Sequence, residues 1–354
     1  MDIAEIQEMV RCFPRLTPRG AGTKTGLNMV SKDVQPIDVS HLSGMLEYQP
    51  EEYTFTALAG TRLAEVNNLL GEHGQYLPFD PPLVESGATL GGTVAAGISG
   101  PGRYRFGGLR DFIIGVRFIN SKGELVQGGG KVVKNSAGFD LPKLFVGSLG
   151  QYGVLVELSF KVFPKPQSFI TQRINYPSLS GALADLLRLS SSPIEIFALE
   201  LVPNAKEATL FVRLGGVAST LSERMERLRK IIPAGESMEG EAEAQFWNSM
   251  IEFTWVPASY ALVKVPITPK QVPALEASLN EFETQRRYSV GANLAWIAWQ
   301  PPIERLHEIL IQLGLGGLVL LGKPGCPRLG LRVGEAFAHR VKRALDPDFR
   351  WVEV

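Results

Sequence analysis

The spacing of apolar positions predicts mixed helices and strands in the first half of the chain. Ile3, Ile6 and Val10 recur at helical spacing and predict a short helix over residues 2–11. A second helix is predicted over residues 63–70, with Thr61 as its N-cap. Apolar runs predict strands at residues 35–39, 53–58, 112–120, 124–126 and 154–162. Pro164 and Pro166 follow the last strand, and we therefore place a domain boundary there.

The second half shows another order, in which strands and amphipathic helices nearly alternate. Strands are predicted at residues 168–175, 194–201, 208–214, 259–266, 288–292, 295–300 and 317–321. Helices are predicted at residues 179–189, 219–231, 239–253, 269–284, 302–313 and 332–345. This order is typical of an antiparallel sheet that carries helices on one side.

Composition narrows the possible partners and compartment. The 354 residues suffice for two domains, and 36 basic residues balance 36 acidic ones, which argues against nucleic acid as a partner. Cys12 and Cys326 lie far apart, so we expect no disulfide framework and no metal site. The N-terminus lacks the apolar core of a signal peptide, and no run of about 18 apolar residues predicts a membrane span. We expect a cytoplasmic protein that reaches a membrane only through partners.

Residues 87–101 are almost all small. Between Gly91 and Gly100 only Val94 and Ile98 have larger side chains. Small side chains let a planar ligand or another backbone approach closely, and many backbone N–H groups in a short run suit a phosphate-bearing ligand. The alternative is a tightly packed helix or strand crossing made of small residues.

Residues 19–26 form a second loop of small residues. Its glycine spacing is not that of a dinucleotide-binding fingerprint, no strand is predicted before it, and Lys24 lacks the spacing of a phosphate-binding P-loop. Successive N–H groups with Arg19 and Lys24 nearby could still cradle an anion. The alternative is a plain turn.

Five segments with characteristic residues follow one another along the chain, at residues 19–26, 87–100, 105–111, 134–141 and 147–157. Together they resemble the FAD-binding domain of the vanillyl-alcohol-oxidase (PCMH-type) superfamily, and within it the glycolate oxidase group. The most specific pieces are Lys-Asn-x-Ala-Gly-Phe-Asp-Leu at residues 134–141 and Phe-Val-Gly-Ser-x-Gly-x-x-Gly-Val-Leu at residues 145–155. The resemblance is close over about the first 165 residues and weak beyond them.

The resemblance implies an α+β fold in three parts. These are a PCMH-type FAD-binding domain of two subdomains (residues 1–165), an α+β cap domain with a mainly antiparallel sheet (residues 166–328), and a C-terminal helix that returns to the FAD domain (residues 329–354). Some members attach FAD covalently through a histidine in the first loop. Thr23 or Lys24 occupies that place here, so the resemblance implies non-covalent FAD.

The resemblance also implies which residues hold FAD. The pyrophosphate would contact the first loop: Arg19, Gly20, Ala21, Gly22, Thr23, Lys24 and Thr25. The flavin and its phosphates would be lined by the second: Thr89, Gly91, Gly92, Gly97 and Ser99. Asp111 would lie near the ribityl or adenine side, and Gly150 and Val154 near the adenosine.

Two features of the resembled family are missing. Complete hydroxy-acid dehydrogenases of this family carry a histidine-rich motif that provides a base or metal ligands, as proton removal from a hydroxyl requires. The four histidines here, His41, His73, His307 and His339, form no such motif, and His307 and His339 are expected to be structural. An Asn-Pro-Gly motif that often ends the family is also absent, so the catalytic residues stay unassigned.

Three hypotheses follow from an intact flavin site without a visible base. The chain is the FAD-binding subunit of a multi-subunit glycolate or D-lactate dehydrogenase or oxidase, with a larger flavoprotein subunit and an iron–sulfur subunit as partners. Alternatively, it acts alone on a 2-hydroxy acid or an alcohol, with an Asp, Glu, Tyr or Arg of the cap as the base, for example near residues 296–299. Arg286, Arg287, Arg328 or Arg332 would then bind the carboxylate. The third hypothesis is a structural subunit whose flavin site is not catalytic.

Aromatic residues and one cysteine leave further alternatives in the second half. Trp247, Trp255, Trp296, Trp299 and Trp351 form either the cap core or an aromatic wall beside the flavin or a partner. Residues 322–327 either close over the flavin ring, with Cys326 approaching it, or link two domains.

Overall fold

A computed structural model describes residues 1–28, 32–130, 140–204, 206–233, 235–300, 302–323 and 326–353. The chain divides into two compact units. The first unit comprises Met1–Gly100, Gly107–Lys165 and Gly334–Val354, and the second comprises Pro101–Phe106 and Pro166–Val333. Residues 134–139, most of the motif at residues 134–141, lie outside the described residues.

The helices of the described chain are α1 (Ile3–Cys12), α2 (Leu63–Glu72), α3 (Leu90–Ala96), α4 (Arg103–Phe106), α5 (Leu141–Phe145), α6 (Leu179–Ser190), α7 (Ala218–Arg229), α8 (Gly240–Glu252), α9 (Val272–Leu279), α10 (Ile303–Gln312) and α11 (Glu335–Leu345). No helix of the described ranges has both the length and the apolar character needed to cross a bilayer.

The strands of the first unit are β1 (Leu16–Arg19), β2 (Gln35–Asp38), β3 (Met45–Gln49), β4 (Thr54–Leu58), β5 (Gln75–Tyr76), β6 (Ile113–Ile119), β7 (Leu125–Gly129), β8 (Val154–Lys161) and β9 (Phe163–Pro164). Those of the second unit are β10 (Ser168–Tyr176), β11 (Ala198–Asn204), β12 (Glu207–Gly216), β13 (Glu236–Glu239), β14 (Ala261–Pro266), β15 (Gln285–Ser289), β16 (Leu294–Trp299), β17 (Gly316–Leu321) and β18 (Arg328–Gly330).

The first unit is built on a five-stranded antiparallel sheet in the order β3-β4-β8-β6-β7. A separate parallel pair, β1 and β2, aligns Leu16 with Gln35 and Arg19 with Asp38. The helix α1 begins with a capping box between Asp2 and Glu5 and buries Ile6 and Val10, as its spacing predicts. Its apolar face shares a core with Leu16, Ile37 and Trp351.

The second unit is built on a nine-stranded antiparallel sheet in the order β13-β10-β12-β11-β15-β16-β14-β17-β18. Helices α6, α7, α9 and α10 share one core with alternate strand residues such as Leu199, Val212 and Val263. Helix α8 instead packs Trp247 and Met250 against Phe211, which points to the opposite face. The sheet therefore carries helices on both faces, whereas the sequence predicts helices on one side only. The amphipathic pattern of α8 shows that one side of the helix is buried, but it does not show which face of the sheet the helix covers.

The short segment Pro101–Phe106 is anchored in the second unit by side-chain contacts. Arg105 lies over the rings of Phe106 and Phe197, at 5.4 and 5.3 Å, and pairs with Glu195 at 3.0 Å. The limits of the compact units thus depart from the predicted residues 1–165, 166–328 and 329–354 at this segment and at Gly334.

Two local predictions need correction. A strand, β1, does precede the loop of residues 19–26, although its sequence includes Pro18. Thr61 does not cap α2, whose N-cap is Arg62. Thr61 Oγ1 instead accepts a hydrogen bond from Gly44 N at 3.0 Å, which joins two loops of the first unit.

Candidate functional site

The first unit contains a cleft of about 850 Å³, part of which is open to solvent. Three segments line most of it: residues 17–24, residues 89–96 and residues 148–155. Val39 and Ala59 complete the floor. The segments come from three of the regions in which the sequence predicts FAD contacts.

The first wall is the loop that follows β1. A Cβ at Gly20 would lie 2.5 Å from Thr89 Oγ1, so only glycine fits between this loop and the second wall. Gly22 has a φ of +70°, which favours glycine, and its carbonyl accepts a hydrogen bond from Asn28 Nδ2 at 3.0 Å. Lys24 also lines the cleft and is only 7% exposed, with its Nζ 3.3 Å from Thr23 Oγ1.

The second wall is the helix α3, within the run of small residues. Thr89 is its N-cap and accepts a hydrogen bond from Gly92 N at 3.3 Å. A Cβ at Gly91 would lie 2.8 Å from the Cβ of Ala59, so the helix lies directly against the floor of the cleft. The packed-helix alternative is thus present, and the same helix also presents Gly92 and Ala95 to the cleft.

The third wall is the turn before β8. Leu149 N donates to Ala95 O at 2.8 Å and ties this turn to α3. A Cβ at Gly150 would lie 2.7 Å from Pro18 Cγ, which brings the turn against β1. Ser148 Oγ is buried and has no hydrogen-bond partner among the residues that the structure describes.

The structure brings most of the predicted site residues together. Arg19, Gly20, Ala21, Gly22, Thr23, Lys24, Thr89, Gly91, Gly92 and Gly150 all line the cleft. Sequence reasoning missed Pro18, Ala59, Ala95 and Ser148 as lining residues. Ser148 could have been found, because it belongs to the motif at residues 145–155.

Five predicted residues lie outside the lining. Thr25 begins a 3-10 turn, and Gly97 ends α3 with a φ of +61°. Ser99 Oγ accepts from Leu109 N at 2.9 Å, and Asp111 Oδ2 accepts from Gly108 N at 2.9 Å. Val154 is fully buried at the start of β8. Ser99 and Asp111 thus bind backbone N–H groups of residues 108 and 109.

The residues of the cleft fit FAD. The walls are made of glycine, alanine and threonine, so backbone approaches the cavity closely. Arg19 and Lys24 supply positive charge for a diphosphate, and Ser148 Oγ, which has no partner within the described ranges, offers a further donor. FAD needs these three features: a flat surface without bulky side chains, cations for its phosphates, and hydroxyl donors.

A second polar cluster lies on the sheet of the second unit. Core residues Val263, Tyr288 and Ile297 point to the face with four helices, so Lys264, Arg287 and Trp296 point to the other face. Trp296 is paired in register with both Arg287 and Lys264.

Glu200 lies on the same side of the sheet and is fully buried. Its Oε1 accepts hydrogen bonds from Ser289 Oγ at 2.5 Å and from Val290 N at 3.3 Å.

Burial changes the acidity of the two cations in this cluster. Desolvation, with the positive charge of Arg103 nearby, lowers the pKa of Lys264 to about 8. Desolvation also lowers the pKa of Arg287 to about 10, against the opposing effect of Glu200. Arg287 lies 4.8 Å from the ring of Trp255, whose buried Nε1 has no acceptor in the described part of the chain.

The four arginines that the sequence offers as carboxylate ligands have different surroundings. Arg286 is held by Glu276 in two hydrogen bonds of 2.8 and 2.9 Å, on the helix side of the sheet. Arg332 is exposed and lies 3.6 Å from Cys326 Sγ. Arg328 begins β18. Of the four arginines proposed to bind a carboxylate, only Arg287 belongs to the cluster.

The structure also shows where several of the tryptophans and histidines lie. Trp299 lies in the main core of the second unit, whereas Trp351 lies in the core of the first. His307 Nδ1 accepts from Gly330 N at 3.1 Å, and the ring of His339 stacks on Phe349. His73 packs edge-on against Tyr48.

Comparison with known proteins supports FAD as the cofactor. A family model described as "FAD binding domain" matches residues 1–129. The chain is 32% identical to the glycolate oxidase subunit GlcE of Escherichia coli, over 79% of this chain and 75% of the relative. It is 27% identical to glycolate oxidase subunit GlcD of Bacillus subtilis, over 63% of this chain and 51% of the relative.

Two further proteins are similar to this chain. The mitochondrial D-lactate dehydrogenase [cytochrome] of Arabidopsis thaliana is 26% identical over 70% of this chain, which spans 46% of that relative. The chain thus spans about half the length of this dehydrogenase and of GlcD. A solved alkyldihydroxyacetonephosphate synthase superposes with a TM-score of 0.73 over 98% of this chain and 74% of its own, at 15% identity, and shows the fold alone.

The α+β PCMH-type fold and the FAD cofactor expected from the sequence are therefore confirmed. The chain belongs to the family of FAD-dependent oxidoreductases that includes the glycolate oxidase subunit GlcE.

Proposed function

We propose that this chain is the FAD-binding subunit of a multi-subunit enzyme that oxidises the CH–OH group of small 2-hydroxy acids such as glycolate or D-lactate. The observation that carries the proposal is the cleft of the first unit, which is built from the motif segments and fits FAD. The similarity to GlcE over 75% of that subunit supports the assignment as a subunit.

We propose specific roles for the residues of the cleft. Arg19 and Lys24 neutralise the diphosphate, and the backbone of Gly20, Ala21, Gly22 and Thr23 binds it. Thr89, Gly91 and Gly92 keep the flavin side flat, while Gly150 admits the adenosine. Thr25, Gly97, Ser99, Asp111 and Val154 support these walls. When bound, FAD accepts a hydride equivalent from the substrate.

The attachment of FAD and the domain roles are part of the same proposal. Binding is non-covalent, because Thr23 and Lys24 replace a histidine in the first loop. Residues 1–165 with residues 329–354 hold FAD, and residues 166–328 form the cap. A larger flavoprotein subunit and an iron–sulfur subunit complete the enzyme in the cytoplasm, and any membrane contact is made through them.

The charged face of the second sheet favours a second candidate function, in which the chain itself binds and oxidises the 2-hydroxy acid. Lys264 and Arg287 flank Trp296 on adjoining strands. Trp255, whose Nε1 has no acceptor among the described residues, lies beside Arg287. Two cations and an N–H donor suit a carboxylate. Above pH 8, where its lowered pKa leaves Lys264 largely neutral, the amine could instead accept a proton, and Arg287 would then be the cation that binds the carboxylate.

Anaerobic reduction of the bound flavin tests both functions. The full chain is purified, the flavin released by denaturation is identified and counted, and the native protein is mixed with glycolate or D-lactate. The subunit proposal predicts released FAD and no bleaching until the partner subunits are added. Bleaching of the isolated chain would favour the second candidate, and absence of FAD even in the assembled complex would contradict both.

The binding of a carboxylate by the second unit should weaken above pH 8. Lys264 faces Arg103 from α4 and lies in line with Arg287, whose pKa of about 10 keeps it charged there, while the buried Glu200 lies beyond Arg287. The pKa of folded Lys264 is below its ordinary 10.5, so burying the ammonium costs stability below pH 8, and this cost is relieved as pH rises.

A deprotonated Lys264 no longer attracts an anion. The Kd of oxamate, a carboxylate that cannot be oxidised, should rise by up to about tenfold per pH unit above pH 8. Tryptophan fluorescence titrations from pH 7 to 9.5 measure it. The variant Lys264→Arg keeps its charge and should remove the slope; the same slope in this variant would assign the titration to another group.

A further inference from the structure

The C-terminal helix of the first unit carries a buried ion pair outside the cleft. Lys342 is 2% exposed and Asp346 is fully buried, and Lys342 Nζ lies 2.6 Å from Asp346 Oδ2. Residues 335–340 of the same helix are all exposed, and Lys342 is the one buried residue of α11. The pair is therefore not part of an apolar helix face.

Both members of the pair bind backbone groups of other segments. Lys342 Nζ donates to Gln151 O at 2.8 Å and to Trp351 O at 2.6 Å. Asp346 accepts from Trp351 N at 2.9 Å and from Arg350 N at 3.0 Å. With the ion pair itself, all three protons of the Lys342 ammonium are used.

Each of these segments adjoins a wall of the cleft. Gln151 directly follows Leu149 and Gly150, two lining residues that have positive φ values of +53° and +79°. A leucine in this region is held only where surrounding contacts determine it. On the other side, Leu16 N donates to Arg350 O at 2.8 Å and Val352 N donates to Leu16 O at 3.0 Å. Leu16 begins β1, which leads into the first wall.

We propose that Lys342 and Asp346 are positioning residues for FAD, which fix the spacing between the first and third walls of the cleft. Neither residue lines the cleft, so they act through Gln151 and Trp351. The inference rests on the proposed FAD site and extends it to a clasp made by the C-terminal segment. The contact between Gly150 and Pro18 is the point at which the two clasped walls meet.

A purely stabilising role must be separated from a positioning role. Removing one partner of a buried pair leaves an uncompensated charge and destabilises the fold, whereas replacing both partners by apolar residues of similar size often restores stability. The double variant Lys342→Met with Asp346→Leu therefore removes the hydrogen bond to Gln151 O without burying a lone charge. The single variant Asp346→Asn keeps the shape of the site and an oxygen acceptor for Lys342 Nζ, but it leaves the buried ammonium without its counter-charge, so we expect it to lower stability more than it alters the spacing of the walls.

A matched control lies in the second unit. Arg213 and Glu243 form a similarly buried pair, 13% and 3% exposed, with an Nε–Oε1 distance of 2.8 Å. The double variant Arg213→Met with Glu243→Leu is the same kind of replacement. The pair contacts Thr171, Phe169 and Trp247, which belong neither to the cleft nor to the cluster around Lys264.

FAD affinity of the full-length apo-proteins decides the proposal. Quenching of flavin fluorescence gives Kd and the release rate, and thermal unfolding without FAD gives stability. We expect a Kd at least about tenfold higher for the Lys342 and Asp346 double variant, a smaller rise for Asp346→Asn, and no change for the control.

Three outcomes would contradict the clasp. If Kd follows thermal stability across all variants, including the control, the pair only stabilises. If Asp346→Asn and the folded double variant bind FAD like the wild type, the clasp is wrong while the FAD site stands. If the wild-type chain binds no FAD, the proposed site itself fails, and the clasp fails with it.

Discussion

Substitution of Gly20 by valine should remove FAD from the protein while leaving it folded. A Cβ at this position would lie 2.5 Å from Thr89 Oγ1 and 3.9 Å from Gly92 Cα, so the side chain would cross from the first wall towards the second. Gly20 does not have a positive φ, so the substitution adds volume without backbone strain. Overpacking of this kind costs about 1–3 kcal/mol.

The loss of FAD should exceed that cost, because the added methyl groups occupy space that the proposal gives to the cofactor. We expect FAD content to fall from about one per chain to below about one-tenth, and Kd to rise about a hundredfold or more. Released flavin after denaturation and fluorescence titration of the apo-protein measure the two quantities. Circular dichroism checks that the fold remains.

Gly71 offers a matched control in the same unit. It lies within α2, has no positive φ, and a Cβ there would meet nothing within 4 Å. Gly71→Ala should leave FAD binding unchanged and stabilise the helix by up to about 1 kcal/mol. Full FAD content with unchanged Kd in Gly20→Val would show that FAD binds elsewhere.

The contrast between Gly20 and Gly71 shows how far the sequence alone can identify the site. Small residues in residues 19–26 and 87–101 indicate close approach of backbone, and the structure confirms that Gly20 and Gly91 have no room for a side chain. Composition cannot show what fills the space beside each glycine. Ser148 and Pro18 line the cleft only because the turn before β8 lies against β1.

The elements that the sequence missed depend on long-range pairing or lack a periodic pattern. Strand β1 has only four residues, one of them Pro18, and it is stabilised by β2 and by a bridge from Leu16 to Trp351. Helix α3, which the sequence analysis gives only as an alternative, is made of small residues, so it has no amphipathic period to detect. Longer elements with a clear period, such as α1 and α10, were predicted within one or two residues.

The charged face of the second sheet shows a different limit of prediction from the sequence. The sequence indicates four arginines as equal candidates, and strand register separates them. Successive residues of a strand point to opposite faces, so Arg286 binds Glu276 on the helix side while Arg287 joins Lys264 on the other. The sequence does not single out Lys264 as a functional residue, because a lysine in a predicted strand does not show which residues lie beside it.

Substitution of Arg287 by methionine should weaken carboxylate binding by the FAD-loaded chain about 10- to 100-fold. A hydrogen bond to a charged group contributes about 1.5–3 kcal/mol, and Arg287 can offer two N–H donors in one plane. Methionine keeps most of the apolar stem and removes the guanidinium, which contacts Met250 and lies over the ring of Trp255. Titration with oxamate, followed by tryptophan fluorescence at pH 7, measures the change in Kd.

Lys264→Met should produce a loss of similar size, and the two losses should not add. Neighbouring strands lie about 4.8 Å apart, so Arg287 and Lys264, on either side of Trp296, are about 10 Å apart at their Cα atoms. Two long side chains can meet one carboxylate across that distance. If both bind the same carboxylate, the double variant should lose less than the sum of the two single losses, by more than about 0.5 kcal/mol.

The exposed Arg305 on α10 provides the control, because Arg305→Met removes a cation of the same kind from a side chain that is 52% exposed. Its Kd for oxamate should equal that of the wild type. Strict additivity of Arg287→Met and Lys264→Met would mean that the two cations do not share a ligand. Unchanged Kd in both single variants would mean that the second unit holds no carboxylate, which would leave the subunit proposal as the better account of a chain that binds FAD and relies on a partner for substrate.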